Sequence, residues 1–388
     1  MKIQWLGEAC DLPADPATGT YVTRYTAAVL SNINMYCEQP CASPDGRRFV
    51  VLRGPQADPR MPPSELCVAD VKTLRLAVIE KHTRSVFVAT AGYSGIIHYL
   101  TEDGMLARFN LTTLERELLF AWPLPFEMCL DTATPDGRYL VGALVEPDGS
   151  TSVTRVDLRD GTYRKIFHHE DSLGHMQINP INGQDLLVQH NRGTNPKKER
   201  KLNKDNIDVG ATHFVIDLDG GNFRPLAIGE PHTSGSTGHT SWVADTGRIG
   251  VSVAYGWKDT WTPGALDPRS PNGNFFTVGP SDPKPINFPS PTHRFNHVNV
   301  SRDGKYFACD CYCQGFANGI ELVVGNIQTG KCRVLLQNCG ATGGCAASSH
   351  PHPYLTADNK HVVFNADPRG VPHVHAAHVT DQFLKSLE

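Results

Sequence analysis

One short pattern recurs along this chain and limits what it can become. A small residue leads into a turn built on Asp-Gly or Asn, and an apolar strand follows. The pattern opens at SPDGRRFVVL (43–52), TPDGRYLVGAL (134–144), NPINGQDLLVQ (179–189), VADTGRIGVSVAY (243–255), VSRDGKYFACD (300–310) and LTADNKHVVFNAD (355–367). A second pattern, strand, polar turn, strand, closes the units at CVADVKTLRLAVI (67–79), LARFNLTTLERELL (106–119), VTRVDLRDGTYRKI (153–166), HFVIDLDGGNFRPL (213–226) and LVVGNIQTGKCRVLL (322–336). SVFVATAGYSGIIHYL (85–100) supplies one more unit between the first two openings.

No such unit can bury both of its faces alone, so the units must pack around a common axis. They number seven, at roughly 45 to 60 residues each, the size of a four-stranded propeller blade. The sequence thus predicts an all-β fold, a seven-bladed β-propeller with four antiparallel strands per blade, as one domain over 1–388. The 35 Gly and 28 Pro suit many short strands and turns. Helical periodicity is sustained almost nowhere, and only the terminal DQFLKSLE reads as a short helix.

Charge and cysteine content narrow the function classes. The net charge is −4 with no long basic stripe, which argues against a nucleic-acid partner. The interrupted run Lys197-Lys198-Glu199-Arg200-Lys201 reads as a solvated loop. No apolar run approaches the roughly 20 residues needed to cross a membrane. The opening MKIQWLGEACDLPADP reaches acidic and Pro residues too soon for a signal peptide, so the expected location is cytoplasmic. Eleven Cys occur without a CxxC pair. Cys309, Cys311 and Cys313 alternate onto one strand face and read as reduced thiols packed as small hydrophobes.

The 17 His are more informative by placement than by number. In SSHPHPYL, His350 and His352 each precede a proline, which favours an extended backbone and sends both imidazoles in nearly one direction. An i, i+2 pair of this kind suits a divalent metal. His297 in THRFNHVNVSRDG, His239 in STGHTSWVADTG and His175 in SLGHMQINP each stand a few residues before a unit-opening turn. Equal phase in a propeller brings residues to one end of the axis, so these histidines should converge. His373, His375 and His378 come later in their unit and are weaker ligand candidates. There is no GxSxG, HExxH, P-loop or strand-borne GxGxxG motif.

With these segments in view, the chain resembles the oligogalacturonate lyase family, polysaccharide lyases built on a seven-bladed propeller. TGTYVTRYT (18–26) and GMLARFNLTTLE (104–115) resemble the family's early strands. SLGHMQINP, GHTSWV, NHVNVSRDG and SHPHPYLTADN then follow in the family's order. The resemblance implies a manganese ion held by His297, His350 and His352, with His239 as general base. Three family positions differ. A ligand Gln is replaced by Ala347, a substrate-gripping Arg by Thr212, and a Lys finds no match in GSTSVTRV. Gln177 or Ser349 is available to complete the metal site, and Arg294 or the basic loop Arg192–Lys204 to replace the cationic grip. His175, Gln177, His190, Arg192 and Arg294 are accordingly the candidate substrate-binding residues.

The implied activity is a carbon–oxygen lyase that β-eliminates a uronate-containing, acidic oligosaccharide with the help of a divalent metal, Mn by the resemblance. Two other classes stay open at this level. One is a different carbohydrate-active enzyme, hydrolase or lyase, on the same scaffold. The other is a non-catalytic propeller that binds a partner, which predicts a histidine cluster without metal.

Overall fold

A computed structural model describes residues 3–60, 64–84, 88–125, 128–195, 197, 211–254, 272–312, 319–343 and 349–388. The recurring turn explains itself there. Ser43, Thr134, Ser301 and Thr356 each donate a hydroxyl hydrogen to the Asp two residues on, at 2.5, 2.5, 2.6 and 2.7 Å. Each Asp then accepts the N–H two residues further along, from Arg47, Arg138, Lys305 and Lys360. The Ser or Thr oxygen also accepts the N–H of the first or second strand residue, as from Tyr139 and Tyr306. Gly46, Gly137 and Gly304 follow at φ of 71°, 69° and 70°, where an L side chain is disfavoured. Each turn thus satisfies its own polar groups and releases an apolar strand.

The described strands run antiparallel within the groups 31–83, 89–121, 129–169, 172–225, 236–287, 295–336 and 354–378, and pairing joins 89–121 to 129–169 and 172–225 to 236–287, so that they form five sheets. Val22–Arg24 pairs with His373–His378, so a strand from the start of the chain completes the last sheet, and Cys10–Leu12 adds a further edge strand. The asparagine Asn34, in the first group, bonds to Asn365 and His352 in the last at 2.8 Å each. The two ends of the series therefore meet. Thr90 and Thr132, from the first strands of adjacent groups, pair in parallel, which puts those first strands at the axis. This arrangement is a β-propeller, as the sequence predicts.

The core lies between neighbouring sheets. Phe275, Phe288, Phe295 and Phe307 interlock between the 236–287 and 295–336 groups, at ring-centroid distances from 4.5 to 6.3 Å. Each such side chain contributes about 1.5–3 kcal/mol on burial. Cys309 and Cys311 pack in this same cluster, on one face as expected, and Cys313 lies outside the described residues. The nine described cysteines are free thiols. The helix Asp381–Lys385 forms where the terminal segment predicts it, with Thr380 accepting the Phe383 N–H at 3.1 Å as its N-cap.

The innermost strands are irregular in one consistent place. Register shifts fall between Leu130 and Thr132, Gly174 and Gln177, Ser236 and Thr240, and Phe295 and Val298. A bulge of this kind turns a side chain out of the ladder and re-aims it. The residues inside these bulges include Asp131, His175, His239 and His297.

Candidate functional site

The bulges and the HPHP segment place five rings around one point of the axis. The His297 ring lies 4.0 Å from His239, 4.3 Å from His352 and 5.2 Å from His350, between centroids. Tyr36 packs against His352 at 4.4 Å and His175 at 5.4 Å, with His239 and His297 at 6.2 and 6.3 Å. The phase argument therefore holds in space: His175, His239 and His297 converge, joined by His350 and His352. The expected extended backbone at His352 does not hold. Its φ is +44°, while Asn34 and Asn365 donate to the carbonyls of His352 and His350 at 2.8 and 3.2 Å and fix the bend. His175 is likewise left-handed, at +49°.

His297, His350 and His352 each offer a ring nitrogen, and these atoms lie within 4.8 Å of one another. Asp310, fully buried, orients the first of them. One carboxylate oxygen accepts the His297 backbone N–H at 2.7 Å and the other meets Nδ1 at 2.6 Å. With the proton on Nδ1, the lone pair of His297 is on Nε2, the carboxylate–histidine arrangement that metal ligands use. Nδ1 of His352 is buried without a hydrogen-bond partner. Burial, then the neighbouring imidazoles, pushes His297 and His352 well below the usual histidine range. Both are neutral at pH 7, the form that ligates. These donors fit a divalent metal ion.

His239 stands beside this group on a glycine-led bulge. Its Nδ1 meets Thr237 Oγ1 at 3.0 Å, and that hydroxyl reaches the Ser252 carbonyl oxygen at 3.3 Å. With Thr237 donating to the carbonyl, its oxygen takes the His239 Nδ1–H, leaving Nε2 as the basic nitrogen. Burial and then His297 keep His239 far below the usual range, hence neutral.

Charged side chains gather beside Tyr36. Glu38 is buried, and its Oε2 meets His175 Nδ1 at 2.8 Å while Oε1 accepts the Thr240 N–H at 3.2 Å. Burial works against a charge on His175, but Glu38 outweighs it and raises the His175 pKa. Asp131 is pushed up to about 7 by burial, with His175 opposing. The Arg60 guanidinium, held by Asp58 with Nε–Oδ1 at 2.9 Å, acts electrostatically on Tyr36, His175 and His352.

The remaining predicted residues are placed elsewhere. Gln177 is buried and donates to the Thr240 carbonyl and hydroxyl oxygens at 3.0 and 2.9 Å, tying two inner strands together. His190 meets Asp171 at 2.9 Å. The Nε of Arg192 is buried without a hydrogen-bond partner, and Arg294 leads into the His297 strand with its backbone N–H on Cys311 Sγ at 3.0 Å. Ser349 is buried beside the HPHP segment. His373 and His378 bond to Thr26 and Thr23, and His375 stacks on Phe364 at 5.4 Å. Ala347 and 198–204 of the basic loop lie outside the described residues, and Lys197 donates to the Pro147 carbonyl at 2.8 Å. Sequence reasoning missed Tyr36, Glu38, Arg60 and Asp310. Only Asp310 carried a signal, as the polar residue alternating with Cys309 and Cys311.

Fold and site together define a β-propeller whose axis carries an imidazole cluster suited to a divalent metal. No family model matches the chain. It is 25% identical over 401 residues to an oligogalacturonide lyase of Pectobacterium atrosepticum, covering 95% of each chain. It is 24% identical over 400 residues to an oligogalacturonate lyase of Dickeya dadantii, again over 95% of each. Among solved structures it is similar to an oligogalacturonate lyase in complex with manganese, with TM-score 0.70, 20% identity and coverage of 98% of this chain and 100% of that one. An oligogalacturonate lyase from Vibrio parahaemolyticus gives TM-score 0.67 at 16% identity, covering 99% and 100%. Sequence and fold relate the chain to the oligogalacturonate lyase family along nearly its whole length.

Proposed function

We propose that this protein is a metal-dependent carbon–oxygen lyase that cleaves oligogalacturonides, or closely similar uronate saccharides, by β-elimination. The observation that carries the reading is the neutral His239 ring 4.0 Å from His297, itself one of three converging imidazoles, in a chain similar to oligogalacturonate lyases from end to end. His297, His350 and His352 would hold the metal, manganese by analogy with the related structure. Bound there, the ion supplies positive charge to a uronate carboxylate and so acidifies the adjacent C5–H.

His239 is the base. Its Nε2 lone pair takes the C5 proton while Thr237 holds the ring by Nδ1. The electron pair left at C5 forms the C4–C5 double bond as the C4–O4 bond breaks, and O4 leaves with the neighbouring sugar and takes up a proton from the His239 imidazolium or from water. Near Tyr36, Glu38 favours the charged form of His175, and Asp58 holds the Arg60 guanidinium. The free thiols among the described residues fit a reducing, cytoplasmic setting. No helix among the described residues is long and apolar enough to cross a membrane.

The test is to supply manganese-loaded protein with a series of oligogalacturonides and record the ultraviolet absorbance of the conjugated double bond. Absorbance should rise with time. His239→Ala should lower kcat by about 10²- to 10⁴-fold while bound manganese stays at the wild-type amount. A metal-replete protein that generates no unsaturated product from any uronide would sink the lyase reading.

A further inference from the structure

Away from the axis, three metal-competent side chains converge where one sheet passes to the next. We infer that His169, Asp171 and His190 form a second metal site, for a borderline divalent cation such as zinc or nickel. His169 ends the outer strand Tyr163–His169, Asp171 stands in the short link to Ser172–Ile178, and His190 comes from the next strand, Asp185–Asn191. One ligand atom from each lies within 4.8 Å of the others, and all three side chains are half-buried. The His169 and His190 rings sit 4.2 Å apart between centroids, and His190 Nε2 is 2.9 Å from Asp171 Oδ2.

The surroundings hold these groups in place. The Asp171 carboxylate accepts the Gly193 N–H at 3.0 Å, and the Asp171 N–H donates to His169 Nδ1 at 3.0 Å. The Asn195 amide nitrogen donates to the Glu170 carbonyl oxygen at 2.9 Å, so the turn after His190 folds back on this link. Without metal, the His190 ring meets the Asp171 carboxylate directly, and a cation would stand between these two groups. Two imidazoles and one carboxylate match zinc, nickel or copper, whereas calcium and magnesium demand more oxygen ligands. Half-burial leaves room for a water to complete the sphere.

This site shares no residue with the central cluster, and it would clamp the 129–169 sheet to the 172–225 sheet at the root of the basic connection after Arg192. The test uses the full chain without a histidine tag, stripped by chelation and titrated with zinc while bound metal is counted. Wild type should take two equivalents per chain. His169→Gln and Asp171→Asn should each take one, and so should His297→Gln, which removes the central site instead. Unchanged circular dichroism of the metal-free variants would show that folding is intact. Zinc stoichiometry unchanged from wild type in both His169→Gln and Asp171→Asn would overturn the proposal, whatever the central site takes up and whether or not the protein proves to be a lyase.

Discussion

At the scale of single residues, Asp310 shows how one carboxylate decides what an imidazole can do. It accepts from both the backbone and Nδ1 of His297 at 2.7 and 2.6 Å, so the ring cannot rotate or exchange tautomers without losing a buried, charge-assisted bond. Asp310→Asn keeps the shape and removes the charge. It should weaken manganese binding by about 10- to 100-fold, measured by competition with a chelator, with little change in secondary structure. Asp310 was half-legible in the sequence: alternation with Cys309 and Cys311 put it on the opposite strand face, but nothing said what it faced. Tyr36 and Glu38 were not legible at all. Their partners His352 and His175 are hundreds or more than a hundred positions away, and pairing of that kind is set by ring closure, which leaves no mark on local spacing. Thr212 and Ala347 were legible only as losses, and Arg60, held by Asp58 in a loop of another sheet, was not legible.

Elements come next, and here the inner-strand bulges matter more than the strands. The repeat showed that His175, His239 and His297 share a phase, but not why histidines on strands with period-2 alternation should all leave the ladder. The bulges are the reason. They spare the hydrogen-bonded pairing on each side and turn out one short stretch per strand. Two glycines separate the conformational demand from mere space. Gly238, one residue before His239, has φ +97°, and a Cβ there would stand 3.2 Å from the Gln189 amide. Gly174, one residue before His175, has nothing within 4 Å of an added Cβ and no left-handed φ. Gly238→Ala should therefore cost about 1–3 kcal/mol in urea unfolding and lower kcat by displacing His239. Gly174→Ala should stay within about 0.5 kcal/mol of wild type. Equal losses for the two would mean that the bulge, as drawn, does not set the backbone.

The whole molecule carries its titratable groups in an unusual place for stability. Several histidines are buried away from the cluster's metal ligands, and burial pushes His98 and His361 down to about 4 and His213 and His375 down to about 3. A histidine whose folded pKa is depressed contributes stability that is complete above its unfolded pKa of about 6.5 and is lost as pH falls through the folded value. Asp131 and Asp310, raised to about 7 by burial, act in the other direction. Their contribution is present at low pH and lost as pH rises through about 7. Acidification thus sets the buried histidines against the buried carboxyls, and the net curve alone cannot assign either. His98 can be isolated, because it lies on Ile96–Leu100 in a sheet that supplies none of the axial histidines, with burial first and Arg108 second holding it neutral. His98→Phe keeps a flat ring and removes the titration. The difference in unfolding free energy between wild type and variant should shift against wild type by up to roughly 3 kcal/mol between pH about 7 and about 4. Urea denaturation of the metal-free proteins across that range reads it directly. Parallel curves for the two proteins would show that His98 does not carry its share of the acid sensitivity.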